Sequence, residues 1–253
     1  MKKHFFLPRY APFWCIPRYQ VLTSILFLLL AVCFQTISEE SLLNPSSLPP
    51  LPKKIIFTFD DGPYPEFTEK LLKILGEEKI KATFFIVGEM GARYPYLLKL
   101  LNSQGHEIAG HTYTHPNLTK IPLTRVKEEL EKTRLLIREF TGKNTYLFRP
   151  PGGNYNESLK RISSSSGYQP IFWTIFPQDH SSDISAEEIY QRVIENIHPN
   201  GIILFHSGRE NTLQALPRIV QTLKEKNYTF ITISDLITEE KNLAYVQRTN
   251  PGY

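Results

Sequence analysis

Cysteine is nearly absent from these 253 residues, and both that occur, Cys15 and Cys33, lie near the amino end. The remainder therefore holds no disulfide framework and no thiolate site, and cysteine usage says nothing about redox compartment. A strong charge of either sign is missing too. The net charge is +4, and residues 1–52 take four of the 29 Lys/Arg and two of the 25 Asp/Glu, which leaves the rest close to neutral. That balance excludes the basic footprint of a nucleic-acid binder. No internal period recurs, so a repeat architecture is excluded as well. Long apolar runs are lacking: Val21 to Phe34 spans 14 residues, short of the roughly 20 that cross a bilayer.

What is present begins with that run. Lys2, Lys3, Arg9 and Arg18 precede it, and a Ser/Pro-rich stretch follows, the layout of a secretory signal whose positive end stays cytoplasmic. Export follows, with three fates open for the segment: cleavage, retention as a membrane anchor, or lipidation at Cys33. The expected organisation is a basic arm with signal or anchor over 1–37, a tether over 38–52, one folded domain over 53–240 and a tail over 241–253. A hydrophobic content of 41% suits one sizeable core.

Within the domain, apolar strands alternate with helical periods. Strands are expected at 54–59, 82–87, 107–109, near Leu147, at 171–175, 202–204 and 230–233. Helices are expected at 65–78, 94–103, 124–141 with Val126, Leu130, Leu135 and Ile137 inward, near Ser158, and at 186–197 and 213–226. Such alternation implies a parallel α/β sheet. With seven or eight strands it would close toward a barrel, whose chemistry sits at strand carboxyl ends. Asp60, Arg149 and His206 fall there.

Four motifs run through these strand ends. Thr58-Phe59-Asp60-Asp61-Gly62-Pro63 sets adjacent carboxylates where a strand meets a turn. Neighbours on an extended chain point apart, so one carboxylate would hold a metal and the other handle a proton, unless the turn twists them together. His111-Thr112-Tyr113-Thr114-His115 places two imidazoles at the spacing of one helical turn. Arg149-Pro150-Pro151-Gly152-Gly153 and Leu204-Phe205-His206 complete the series. One carboxylate and two imidazoles form a three-ligand set that leaves a position open; zinc is the natural occupant, and the donor types also admit cobalt or nickel.

In this order the motifs resemble those of the polysaccharide deacetylases of carbohydrate esterase family four, the NodB-type homology domain, over roughly Lys53 to Leu236. The resemblance implies a distorted, incomplete (β/α) barrel that removes N-acetyl groups from an envelope or extracellular polysaccharide, and a monomer is expected. It implies that Asp60 is the general base and that Asp61, His111 and His115 are the metal ligands. Arg149 would orient Asp60, and His206 would protonate the departing amine. The Gly152 amide would face the oxyanion, with Pro151, Leu204 and Trp173 against the substrate. His106 would be structural, and His4, His180 and His198 carry no role. One departure stands out in Trp173-Thr174-Ile175-Phe176-Pro177-Gln178-Asp179-His180: relatives place an Asp three residues after the Trp, where it orients the acid histidine, and this chain has Phe176. Loss of that carboxylate would weaken His206. Two alternatives follow, a carbohydrate-binding envelope protein with weakened catalysis and a metal amidase acting on a small non-sugar amide, the second disfavoured by the export arm.

Overall fold

Alternation along the first strand decides what faces where. In the computed structural model, which describes residues 53–249 with side chains to 241, β1 (Lys53–Asp60) buries all six residues from Ile55 onward. Ile55, Phe57 and Phe59 join the layer under the helices, whereas Ile56 joins a separate cluster inside the sheet's concave face. Thr58 and Asp60 share the parity of Ile56 and turn the same way. The arm, the tether, both cysteines and the last four residues lie outside the described residues.

Six further strands add in parallel: β2 (Thr83–Ile86), β3 (Glu107–Gly110), β4 (Leu147–Phe148), β5 (Gln169–Pro170), β6 (Gly201–His206) and β7 (Tyr228–Phe230). Their order is β5-β4-β3-β2-β1-β6, and β7 pairs with the amino end of β1. The helices are α1 (Phe67–Glu77), α2 (Gly88–Arg93), α3 (Pro95–Ser103), α4 (Leu123–Thr141), α5 (Glu157–Ser165), α6 (Ala186–Asn196), α7 (Glu210–Glu225) and α8 (Ile233–Thr249). This is a distorted, incomplete (β/α) barrel. Leu71 and Leu75 of α1 and Leu216, Ile219 and Val220 of α7 cover the outer face of β1 and β6. Ile233 and Leu236 of α8 plug the inside against Ile56 and Phe85. Emptying one such position, as in Leu→Ala, costs about 2–5 kcal/mol.

Three expected elements differ. Residues 171–175 form no strand: the Ile171 amide donates to Phe148 of β4 at 2.8 Å, while the Thr174 and Ile175 amides both donate to Ile202 of β6, at 3.0 and 3.1 Å. The segment thus crosses from one side of the barrel opening to the other, and only Ile175 bridges Ile203. The strand expected at 230–233 stops at Phe230, because Asp235 accepts from the Thr232 amide and hydroxyl at 2.9 and 2.7 Å and starts α8 at Ile233. Leu135 is 47% exposed. The inward face of α4 is Val126, Glu129, Leu130, Thr133 and Ile137, and Leu135 lies most of half a turn from that row. Helix α8 also runs on across position 240. No helix among the described residues is long and apolar enough to cross a membrane.

Candidate active site

Asp60 and His206 end neighbouring strands and are register partners, and Arg149 follows β4 directly. The Arg149 side chain is fully buried and reaches back across the barrel, donating from Nη1 to Asp60 Oδ1 at 2.7 Å and to Thr58 Oγ1 at 2.8 Å. Its Nε donates to the Ile171 carbonyl at 3.2 Å, and its guanidinium lies 4.1 Å from the Phe85 ring centroid. Burial pulls the Arg149 pKa down, against the opposing pull of the Asp60 charge and hydrogen bond. A buried ion pair of this kind adds little net stability, but one partner cannot be removed without stranding the other.

Asp61 does not point away from Asp60 as an extended chain would require. Its φ of 73° turns the chain at the strand end, and both carboxylates face the same imidazole: His111 Nε2 lies 3.7 Å from Asp60 Oδ2 and 3.5 Å from Asp61 Oδ1. His115 Nε2 lies 3.3 Å from that Asp61 oxygen. The expected helical turn from His111 to His115 is not formed, since Thr112 and His115 have φ of 63° and 59°. The loop is gripped from two sides instead. The Gly88 and Glu89 amides donate to the Thr112 and Tyr113 carbonyls, each at 2.9 Å. Gly88 must lack a side chain, because a Cβ there would lie 2.3 Å from the Tyr113 ring. On the other side the buried Glu129 carboxylate accepts from the Tyr113 amide at 2.8 Å and from the Thr114 amide and hydroxyl at 2.7 and 2.8 Å.

The donor atoms of Asp61, His111 and His115 lie within 4.8 Å of one another. Atoms about 2.1 Å from a tetrahedral zinc stand about 3.4 Å apart, which the 3.5 and 3.3 Å separations match. His111 Nδ1 meets the Arg149 carbonyl at 2.8 Å, so that nitrogen carries the hydrogen and Nε2 keeps its lone pair for a ligand. These residues could hold a divalent ion. Burial acts to raise the Asp61 pKa, but His111 and His115, when their imidazoles are protonated, outweigh it and hold the carboxyl well below its usual range. The hydrogen bond that His115 donates to Asp61 raises the His115 pKa, against the opposing effect of burial.

His206 differs from expectation. Phe176 supplies no acid, yet the imidazole is not unsupported: His206 Nδ1 lies 2.7 Å from Asp179 Oδ1, and Asp179 Oδ2 accepts from the His206 amide at 2.8 Å and from Thr212 Oγ1 at 2.7 Å. Burial acts to lower the His206 pKa, but the Asp179 hydrogen bond and charge outweigh it and raise the value. The expectation of an unperturbed His206 is therefore corrected: Asp179, three residues further on, takes the backing position.

The family model for polysaccharide deacetylases matches residues 48–171. A peptidoglycan-N-acetylglucosamine deacetylase of Bacillus cereus is 34% identical over 190 residues, 73% of this chain and 88% of that protein. This chain belongs to the polysaccharide deacetylase family. The family's peptidoglycan-N-acetylmuramic acid deacetylase PdaA of Bacillus subtilis is 31% identical over 192 residues, covering 75% of this chain and 73% of its own. Among solved structures, a peptidoglycan N-acetylglucosamine deacetylase in complex with 4-naphthalen-1-yl-N-oxidanyl-benzamide superposes with a TM-score of 0.70 at 31% identity, over 74% of this chain and 89% of its own. A pseudoenzyme of the family from Bacillus anthracis superposes with a TM-score of 0.69 at 27% identity, over 76% and 70%.

The other sequence candidates fall around this centre. Leu204 is buried on β6, Pro151 is buried, and Gly152 is exposed with φ of 60°. Trp173 is half-buried, with its ring 5.7 Å from the Arg149 guanidinium. His106 is buried away from the site, where its Nδ1 accepts from the Ala82 amide at 3.3 Å, and burial, with the Lys81 charge, takes its pKa down to about 4. Sequence reasoning missed Glu129 and the role of Asp179. The signal for Glu129 was an acidic residue on the helical row of Val126, Leu130 and Ile137, where an apolar one is expected.

Proposed function

We propose that this chain is a metal-dependent hydrolase that removes N-acetyl groups from an envelope or extracellular polysaccharide, a peptidoglycan or chitin-like N-acetylhexosamine polymer. The observation that carries the reading is the pairing of a buried, Arg-held carboxylate, Asp60, with an Asp-backed imidazole, His206, beside the Asp61, His111 and His115 donors. The names of the relatives support the same substrate class. Asp61, His111 and His115 would hold a divalent ion, which when bound would supply Lewis-acid polarisation of an acyl oxygen and acidify a water. Zinc suits the mixed oxygen and nitrogen set.

Asp60 accepts the proton of the attacking water, with Arg149 fixing the carboxylate's direction. His206 donates a proton to the departing sugar nitrogen, and Asp179 holds its Nδ1 hydrogen so that Nε2 is the delivering atom. The Gly152 amide faces the oxyanion, while Pro151, Leu204 and Trp173 contact the acetylated sugar. The domain over 53–240 acts as a monomer outside the cytoplasmic membrane, carried there by the arm over 1–37 and the tether over 38–52. Acetate release by the full chain from peptidoglycan, chitin oligomers and acetanilide, with and without a chelator, tests the reading. Release from a glycan that a chelator abolishes is expected; release from acetanilide alone, or none from any substrate, would refute it.

A further inference from the structure

The segment that carries Asp179 also builds a surface that the chemistry above does not use. From Ile175 to His180 burial alternates: Ile175, Pro177 and Asp179 point in, and Phe176, Gln178 and His180 point out. Phe176 is 39% exposed, although a phenyl ring gains by leaving water. Outward placement is enforced rather than loose. The three hydrogen bonds to Asp179 hold one end of the segment. Arg192 donates to the Pro177 carbonyl at 3.2 Å and fixes the middle, and Ile175 bridges β6 at the other end.

The exposed rings form one continuous surface. Phe176 and His180 are stacked, with centroids 5.3 Å apart and planes 5° from parallel. His180 in turn lies 5.3 Å from His206, and Trp173 lies 5.7 Å from Phe176 with its plane tilted by 46°. The surface therefore begins at the imidazole assigned to protonate the leaving nitrogen and runs outward from it.

We propose that Phe176, with the His180 ring stacked on it, is a platform for the pyranose face of a sugar unit neighbouring the one that is deacetylated. The inference rests on the deacetylase reading and adds that the preferred substrate is an oligomer rather than a single sugar. A hexopyranose with equatorial hydroxyls presents axial C–H groups on its face, and these meet the negative face of an aromatic ring while the hydroxyls stay in water. Rings already fixed in place lose little freedom on binding. A solvent-facing platform continuous with the catalytic imidazole thus suits an extended glycan.

The test compares wild type, Phe176→Ala and Phe176→Trp as full chains, with Phe176 exposed enough that truncation leaves the fold intact. Acetate release is measured on chitin dimers and pentamers, and pentamer binding is titrated calorimetrically in an Asp60→Asn background. In Phe176→Ala, KM for the pentamer should rise about tenfold with kcat little changed, the advantage of pentamer over dimer should shrink, and Phe176→Trp should restore both. A pentamer KM or binding constant indifferent to Phe176→Ala, or a wild-type chain that binds no pentamer, overturns the platform. Pentamer binding that depends on Phe176 without any acetate release would instead leave the platform standing and sink the deacetylase reading.

Discussion

Replacing Asp179 by Asn keeps the shape of the side chain and removes its charge from His206. The two atoms concerned lie 2.7 Å apart, on an imidazole only 16% exposed and a carboxylate that is fully buried, so solvent screens the pair little. A hydrogen bond to a charged partner contributes about 1.5–3 kcal/mol, and 1.36 kcal/mol corresponds to about one pH unit. The sign follows from the direction of the shift: Asp179 raises the His206 pKa over the opposing effect of burial, so its neutralisation lowers it. His206 acts when protonated, and the alkaline limb of kcat/KM should therefore move down by roughly one to two pH units. The pair's contribution to stability has the same sense. It is present in full below the unfolded imidazole's pKa of about 6.5 and is lost as pH rises through the raised folded value. The assay is kcat/KM against pH for wild type, Asp179→Asn and Phe176→Asp, with His206→Ala as the reference for a lost acid. An Asp179→Asn profile that superimposes on wild type, or a Phe176→Asp profile that shifts while Asp179→Asn does not, would refute the assignment of Asp179.

Three further outcomes are expected. Asp60→Asn should keep its metal and lose turnover roughly a hundredfold or more, whereas Asp61→Asn and His111→Ala should lose the metal by elemental analysis; identical behaviour of the two carboxylate variants would end the division of labour. Glu129→Gln loosens a loop that three donors hold, and metal affinity measured by chelator competition should fall about 10–100-fold, an unchanged affinity showing that Gly88 and Glu89 suffice to grip it. Arg149→Met leaves Asp60 buried without its counter-charge, at a cost of about 3–5 kcal/mol visible in urea unfolding, and a midpoint equal to wild type would count against the ion pair as built.

Residue type and local rules made much of this protein legible from its sequence. Apolar runs such as Ile55 to Phe59 need both faces covered, which sets a parallel sheet under helices, and two adjacent carboxylates at the end of such a run mark a strand end with chemistry. The same reasoning brought out His111, His115, Arg149 and His206 as candidates, because their positions relative to strands are local facts. The tertiary structure decided what those residues meet. Positive φ at Thr112 and His115 arises in a loop gripped by Gly88 and by Glu129, residues distant in sequence, so spacing alone suggested a helical turn that does not exist. Asp179 backs His206 because Ile175 bridges Ile203 and Thr212 of α7 supplies a further hydrogen bond, contacts that bring the carboxylate to the imidazole from 27 residues away. Residues 171–175 look like a strand by composition, yet they span the barrel opening, since whether an apolar run finds a partner for its backbone depends on the rest of the sheet. Local sequence sets which groups are available; long-range pairing sets which of them touch.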